Sequence, residues 1–84
     1  MVHVIIEYTP SSFKHGIKEE DIRHAMLHPL YDEIQDSGDD KYLLLGFDRN
    51  LNLLEIVYHI IDDQKFKVFH AMECRTSYYE LLRR

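Results

Sequence analysis

Tryptophan is absent from this sequence, and cysteine, proline and glycine are scarce, with one, two and three residues. A lone cysteine, Cys74, can form no internal disulfide and cannot build a cysteine-rich zinc site, so a reducing, cytoplasmic setting is expected. Three scattered glycines leave no glycine-rich phosphate loop. No apolar run approaches the roughly 20 residues that span a bilayer. The opening Met1-Val2-His3-Val4-Ile5-Ile6-Glu7 has neither a basic region nor a small-residue cleavage site, so no signal peptide and no membrane partner are expected. Positive charge is also short. Ten Lys and Arg face 15 Asp and Glu, a formal net charge of −5 with six His neutral. That argues against a broad nucleic-acid-binding stripe, leaves room for a small basic site, and by itself favours a protein partner.

What is present is core material. The hydrophobic fraction is 45%, the charged fraction 30%, and six Tyr with four Phe supply bulk, which argues against disorder. Residues 1–84 are expected to form one domain with a thin stability margin. Val2 to Tyr8 predicts a strand that stops at the turn cluster Thr9-Pro10-Ser11-Ser12. Lys18 to His28 predicts a helix, with Ile22, Ala25, Met26 and Pro29 at helical spacing, acids at its start and His28 near its end. Pro29 closes it. Leu30 to Asp36 reads as an edge strand and Asp36 to Asp40 as a solvated turn.

Two strong strands follow, Lys41 to Asp48 and Leu53 to Ile61, joined by a link of hairpin length. Asp62-Asp63-Gln64 turns into a further strand, Lys65 to Met72. Thr76 to Arg84 is expected to be a short helix with Tyr79, Leu81 and Leu82 packed inward. The order defines an α+β fold: an antiparallel sheet of three to five strands, one helix in the N-terminal half and a short C-terminal helix.

Alternation along a strand places Glu55, Val57, His59 and Ile61 on one face and Leu54, Ile56, Tyr58 and Ile60 on the other. The second set is uniformly large and is expected to face the core, leaving Glu55 and His59 as neighbours on the more open face. On the next strand, alternation groups His70 with Phe66, Val68 and Met72. One register brings Glu55, His59, His70 and Arg75 to the same end of the sheet. A carboxylate, an imidazole and a guanidinium can together cleave RNA without a metal. A base takes the 2′-hydroxyl proton, an acid protonates the leaving oxygen, and the arginine stabilises charge building on phosphorus.

Each of these residues also has a structural reading. Glu55 and His59 fit a solvated polar face, His70 a hydrogen-bonded core histidine, and Arg75 an ordinary ion pair. Lys65 and Lys67 fit a water-facing edge. His24 and His28 have the i, i+4 spacing of zinc ligands, but Ala25 follows His24 where the metalloprotease motif has Glu. No metal and no cofactor are expected.

Several short motifs, taken in order, resemble one family. Phe13-Lys14-His15-Gly16-Ile17 before Glu19-Glu20 resembles the lysine-histidine-glycine-valine opening of BrnT-type toxins. His28-Pro29-Leu30 is similar to the aspartate-proline step after their first helix, and Lys41-Tyr42-Leu43-Leu44-Leu45-Gly46 to their basic-tyrosine-aliphatic-glycine strand. Leu53 to Tyr58 and Lys67 to Met72 stand where the later strands would be, so the resemblance covers roughly residues 13 to 75. It implies a RelE-like fold, a metal-independent ribonuclease that blocks translation, and a ribbon-helix-helix antitoxin as partner. RNA would be the substrate, and DNA would be reached only through the antitoxin complex. On the matching positions His15 would be the family's early histidine, with His70 and Arg75 in and just after the terminal strand; Lys14, His15 and Tyr78 are expected to contact the substrate. Two departures stand out. The family's isoleucine-serine-alanine-arginine reads Phe69-His70-Ala71-Met72 here, and its early tryptophan-aspartate reads Tyr8-Thr9.

Overall fold

The computed structural model describes residues 3–35 and 40–83. Its elements are β1 (Ile5–Tyr8), a 3-10 turn (Pro10–Phe13), α1 (Glu19–Leu27), β2 (Pro29–Ile34), β3 (Tyr42–Phe47), β4 (Leu53–Asp62), β5 (Lys65–Glu73) and a C-terminal 3-10 helix (Thr76–Arg83). The strands form one sheet in the order β1-β5-β4-β3-β2. The expected α+β class, order of elements along the chain and edge position of β2 are all present. One pairing adds to that reading: β1 joins the sheet parallel to β5, from Ile5 beside Lys65 to Tyr8 beside Val68, while β2 to β5 pair antiparallel. Of the strand expected from Val2, Val2 lies outside the described residues and His3 and Val4 precede β1; the turn expected at Asp36 to Asp40, apart from Asp40, also lies outside them.

β3 explains why the sheet is covered on both faces. Its Leu43-Leu44-Leu45 run is buried throughout, as a strand packed on two sides requires. Leu44 faces α1 and joins Ile22, Ala25, Leu54, Ile56, Tyr58, Val68 and Ala71 in the main core. Leu43 and Leu45 face the other way, with Cys74, and the C-terminal helix closes over them through Tyr78 and Leu81. The 3-10 form decides which residues do this. At three residues per turn, Tyr78 and Leu81 fall on one side. Of the three residues expected to point inward, Leu81 does, whereas Tyr79 and Leu82 are exposed.

α1 lies very close to β3. A Cβ on Gly46 would stand 2.7 Å from the Ala25 carbonyl oxygen, so glycine is what lets helix and strand approach there. Asp21 fixes the same helix to the β3–β4 hairpin by accepting from Arg49 Nε at 2.9 Å and from its backbone N–H at 3.2 Å. Within that hairpin, Asp48 accepts the backbone N–H groups of Asn50 and Asn52, both at 2.8 Å. On β4 the expected core set Leu54, Ile56 and Tyr58 is buried. Ile60 is not: it is 46% exposed.

Candidate functional site

Strand alternation puts Glu55 on the face away from α1. That face is not open at Glu55, whose side chain is fully buried. A buried carboxylate needs partners, and two residues supply them. Arg75 donates from its backbone N–H at 2.9 Å and its Nε at 3.1 Å to Oε1, and from Nη2 at 2.8 Å to Oε2. His70 Nε2 lies 3.0 Å from Oε2. Burial pushes the Glu55 carboxyl upward, but the side-chain and backbone hydrogen bonds from Arg75, and that with His70, outweigh it and hold the group below the usual carboxylate range. An ionised carboxylate only accepts, so the His70 Nε2 carries a proton and donates it.

His70 reaches Glu55 because the strand is irregular. Regular alternation would put it on the α1 face with Val68. In the β4–β5 ladder Val57 pairs with His70 but Tyr58 pairs with Val68, so Phe69 is an extra residue in β5. This bulge turns His70 to the Glu55 side, a way in which bulges commonly re-aim functional side chains. Val68 and Ala71, three residues apart, both remain in the main core. The expected grouping of His70 with Val68 is therefore corrected.

Arg75 reaches Glu55 because β5 ends at Glu73 and the chain turns straight into the C-terminal helix. Its guanidinium carbon lies 5.2 Å from the Tyr78 ring centroid, and Nη2 is 3.4 Å from the Tyr78 hydroxyl. Its side chain is 56% exposed, against 27% for His70. The guanidinium is thus held at its Nε edge by Glu55 while its remaining donors face a groove of about 540 Å³. Lys41, Phe69, His70, Arg75 and Tyr78 line that groove, and Lys41 Nζ lies 5.7 Å from the Phe69 ring centroid. Lys41 and Phe69 were not among the residues singled out as site candidates. Their signal in the sequence, a basic residue opening a strand and an aromatic in the next strand but one, is too common to find them by.

The other candidates divide. His15 comes in from the segment between Phe13 and α1, with its ring edge-on to His70 at 5.6 Å between centroids. It also lines a second hollow of about 360 Å³ with Asp48, Met72 and Glu73. Gly16, the next residue, has φ +79°, a left-handed conformation that glycine adopts at little cost as the chain turns into α1. Lys14 is exposed on the same segment. His59 stands apart. Four residues of extended strand cover roughly 13 Å, so it is no near neighbour of Glu55. Its ring packs against Phe69 at 4.8 Å instead, and its Nε2 is buried without a hydrogen-bond partner. Grouping His59 with the other three is corrected.

His24 and His28 do lie close, at 4.8 Å between ring centroids, with His24 Nδ1 3.0 Å from the Phe47 carbonyl oxygen. Among the described residues no group of three or more His, Cys, Asp or Glu is arranged to hold a metal ion. No helix among them is long and apolar enough to cross a membrane. Cys74 is buried, and burial followed by the nearby Glu55 charge pushes its thiol up, away from the reactive thiolate form.

A five-stranded sheet with this order, a helix on one face and a clamped carboxylate under the other can be compared with known folds. The fold is BrnT-like. The crystal structure of the ribonuclease toxin BrnT from Brucella abortus matches with a TM-score of 0.61 and 14% identity, over 90% of this chain and 100% of that one. No family model matches the chain, and no curated protein matches it in sequence. The BrnT likeness therefore concerns the backbone, and the side chains of the groove have to be read from their own geometry.

Proposed function

We propose that this chain is a toxin-like, metal-independent endoribonuclease that inhibits translation in the cytoplasm and is held in check by a ribbon-helix-helix antitoxin. The observation that carries the reading is the Glu55–His70–Arg75 cluster, a buried carboxylate that orients one imidazole and one guanidinium toward a groove. In this reading Arg75 places its free donors on the scissile phosphate and stabilises the charge that builds there. His70, with Nε2 committed to Glu55, presents Nδ1 for proton transfer, the step for which an imidazole is suited near neutral pH. Tyr78 holds the guanidinium flat, and Lys14 and His15 border the path of the RNA strand. The likeness to a BrnT fold supports the same reading, since that neighbour is a ribonuclease toxin.

Inducible expression of the chain alone in a bacterial host, followed by growth and bulk protein synthesis, tests this. The expected outcome is prompt arrest, relieved by the neighbouring antitoxin gene and abolished by His70→Ala or Arg75→Ala in folded protein. Normal growth with soluble, folded protein would reject it. A second reading, a non-catalytic module acting through a protein partner, is favoured by the same ion pair. Glu55 already neutralises Arg75, and the chain carries a net charge of −5. That reading expects partner binding that survives His70→Ala.

A further inference from the structure

We propose that His15 and His70 act as a pair of proton carriers, so that RNA is cleaved by its own 2′-hydroxyl with one imidazole as base and the other as acid. The inference rests on the ribonuclease reading above and adds to it a role for His15, a division of labour and a product.

Two features of the site support it. The two rings meet edge-on at 5.6 Å between centroids, within the span over which two side chains can serve the attacking and departing oxygens of one phosphate. Only one of them is tied down: His70 is bound through Nε2 to Glu55, whereas His15 is exposed and makes no hydrogen bond among the described residues.

The carboxylate decides which ring does what. A doubly protonated His70 donates Nε2–H to the buried negative charge of Glu55 and aims its Nδ1–H at the groove, so it is the acid. His15 shares its hollow with Asp48 and Glu73 but is hydrogen-bonded to neither among the described residues, so its ring nitrogens stay open and it is the base. His15 removes the 2′-hydroxyl proton, the 2′-oxygen forms a bond to phosphorus, and the bond from phosphorus to the 5′-oxygen breaks. His70 gives its Nδ1 proton to that departing oxygen. The products are a 2′,3′-cyclic phosphate and a 5′-hydroxyl end, with protons and electrons balanced and no water consumed. The charged groups facing the pair are Glu55 from β4, Arg75 after β5 and Lys41 before β3, with Asp48 after β3 and Glu73 at the end of β5 on the His15 side and Tyr78 from the C-terminal helix.

The test uses the full chain and an oligonucleotide with one ribose in a deoxyribose background. Wild type is expected to cut at that ribose only, leave a cyclic phosphate, and show a bell-shaped dependence of rate on pH. His15→Gln should lower the rate about 10²-fold or more and remove the acid-side limb, and His70→Gln should do so for the alkaline-side limb. A substrate with a sulfur in place of the departing 5′-oxygen leaves without a proton. It should restore most of the rate to His70→Gln and little to His15→Gln. Because His15 is exposed, its replacement leaves the fold intact, which circular dichroism checks. Cleavage by His15→Gln within twofold of wild type, with both limbs kept, would overturn the pairing while leaving the ribonuclease reading in place. Rescue of His15→Gln rather than His70→Gln by the sulfur substrate would overturn the assignment of acid and base. No cleavage by wild type, alone or with ribosomes, would overturn both.

Discussion

The two faces of the sheet are built on opposite principles. Toward α1, Leu44, Leu54, Ile56, Val68 and Ala71 close around Ile22 and Ala25 with essentially no exposed surface. Away from α1, Leu43 and Leu45 give a smaller apolar patch, and the centre of the face goes to a charged cluster around Glu55. The carboxylates on the two sides differ accordingly. Asp32, on the α1 side, accepts the Tyr58 hydroxyl at 2.6 Å; burial raises it, and that single hydrogen bond only partly opposes the rise. Glu55 is more buried yet lowered, because Arg75 gives it three hydrogen bonds. Burial alone does not set a carboxylate's behaviour; the hydrogen-bond donors aimed at it, charged or neutral, do.

The contrast breaks most sharply at His70. His70→Ala is expected to reduce RNA cleavage about 10²- to 10⁴-fold, roughly 3–5 kcal/mol of barrier, in single-turnover assays. Its urea midpoint should hardly move, since Glu55 keeps its bonds from Arg75. Ile56→Ala should do the reverse. It empties a fully buried site and should cost about 3–4 kcal/mol in urea unfolding, while activity per folded molecule is retained. For a domain this small that is a large share of the total. Gly46→Ala comes next, at about 2–3 kcal/mol, because the added Cβ meets the Ala25 backbone rather than a side chain that can swing away.

Acid titration gives a smaller effect. Glu55, with its folded value lowered from 4.5, contributes stability that is fully present above that value and lost as pH falls through the lower folded one. Thermal midpoints of Glu55→Gln should therefore fall less steeply with acid than those of wild type. The smallest expected change is on the other side. Asp32 is raised from 3.8, so its charge opposes folding above its folded value. Asp32→Asn should leave the midpoint at neutral pH unchanged or slightly higher. A clear fall there would show that the two faces treat their carboxylates alike.

Much of this was legible in the residues. The run Leu43-Leu44-Leu45, the hairpin at Asp48 to Asn52 and the acidic start of α1 each announce their structure locally, because strand propensity, turn chemistry and helix charge are set by neighbours in the chain. Glu55, His70 and Arg75 were also findable as a chemically apt set. His59 was misplaced with them because sharing a face is not the same as being near. Tyr79 and Leu82 were misplaced because the last helix winds at three residues per turn.

By itself, then, the sequence determined the α+β class, the antiparallel meander and the inward set Leu54, Ile56 and Tyr58, all consequences of short-range periodicity. Tertiary structure alone decided that β1 pairs parallel with β5, that Glu55 is buried rather than solvated, and that His70 turns toward it. The reason is common to all three. A register, a bulge and the closing of a helix over a face are settled by which strand lies alongside, and that partner is distant in the chain.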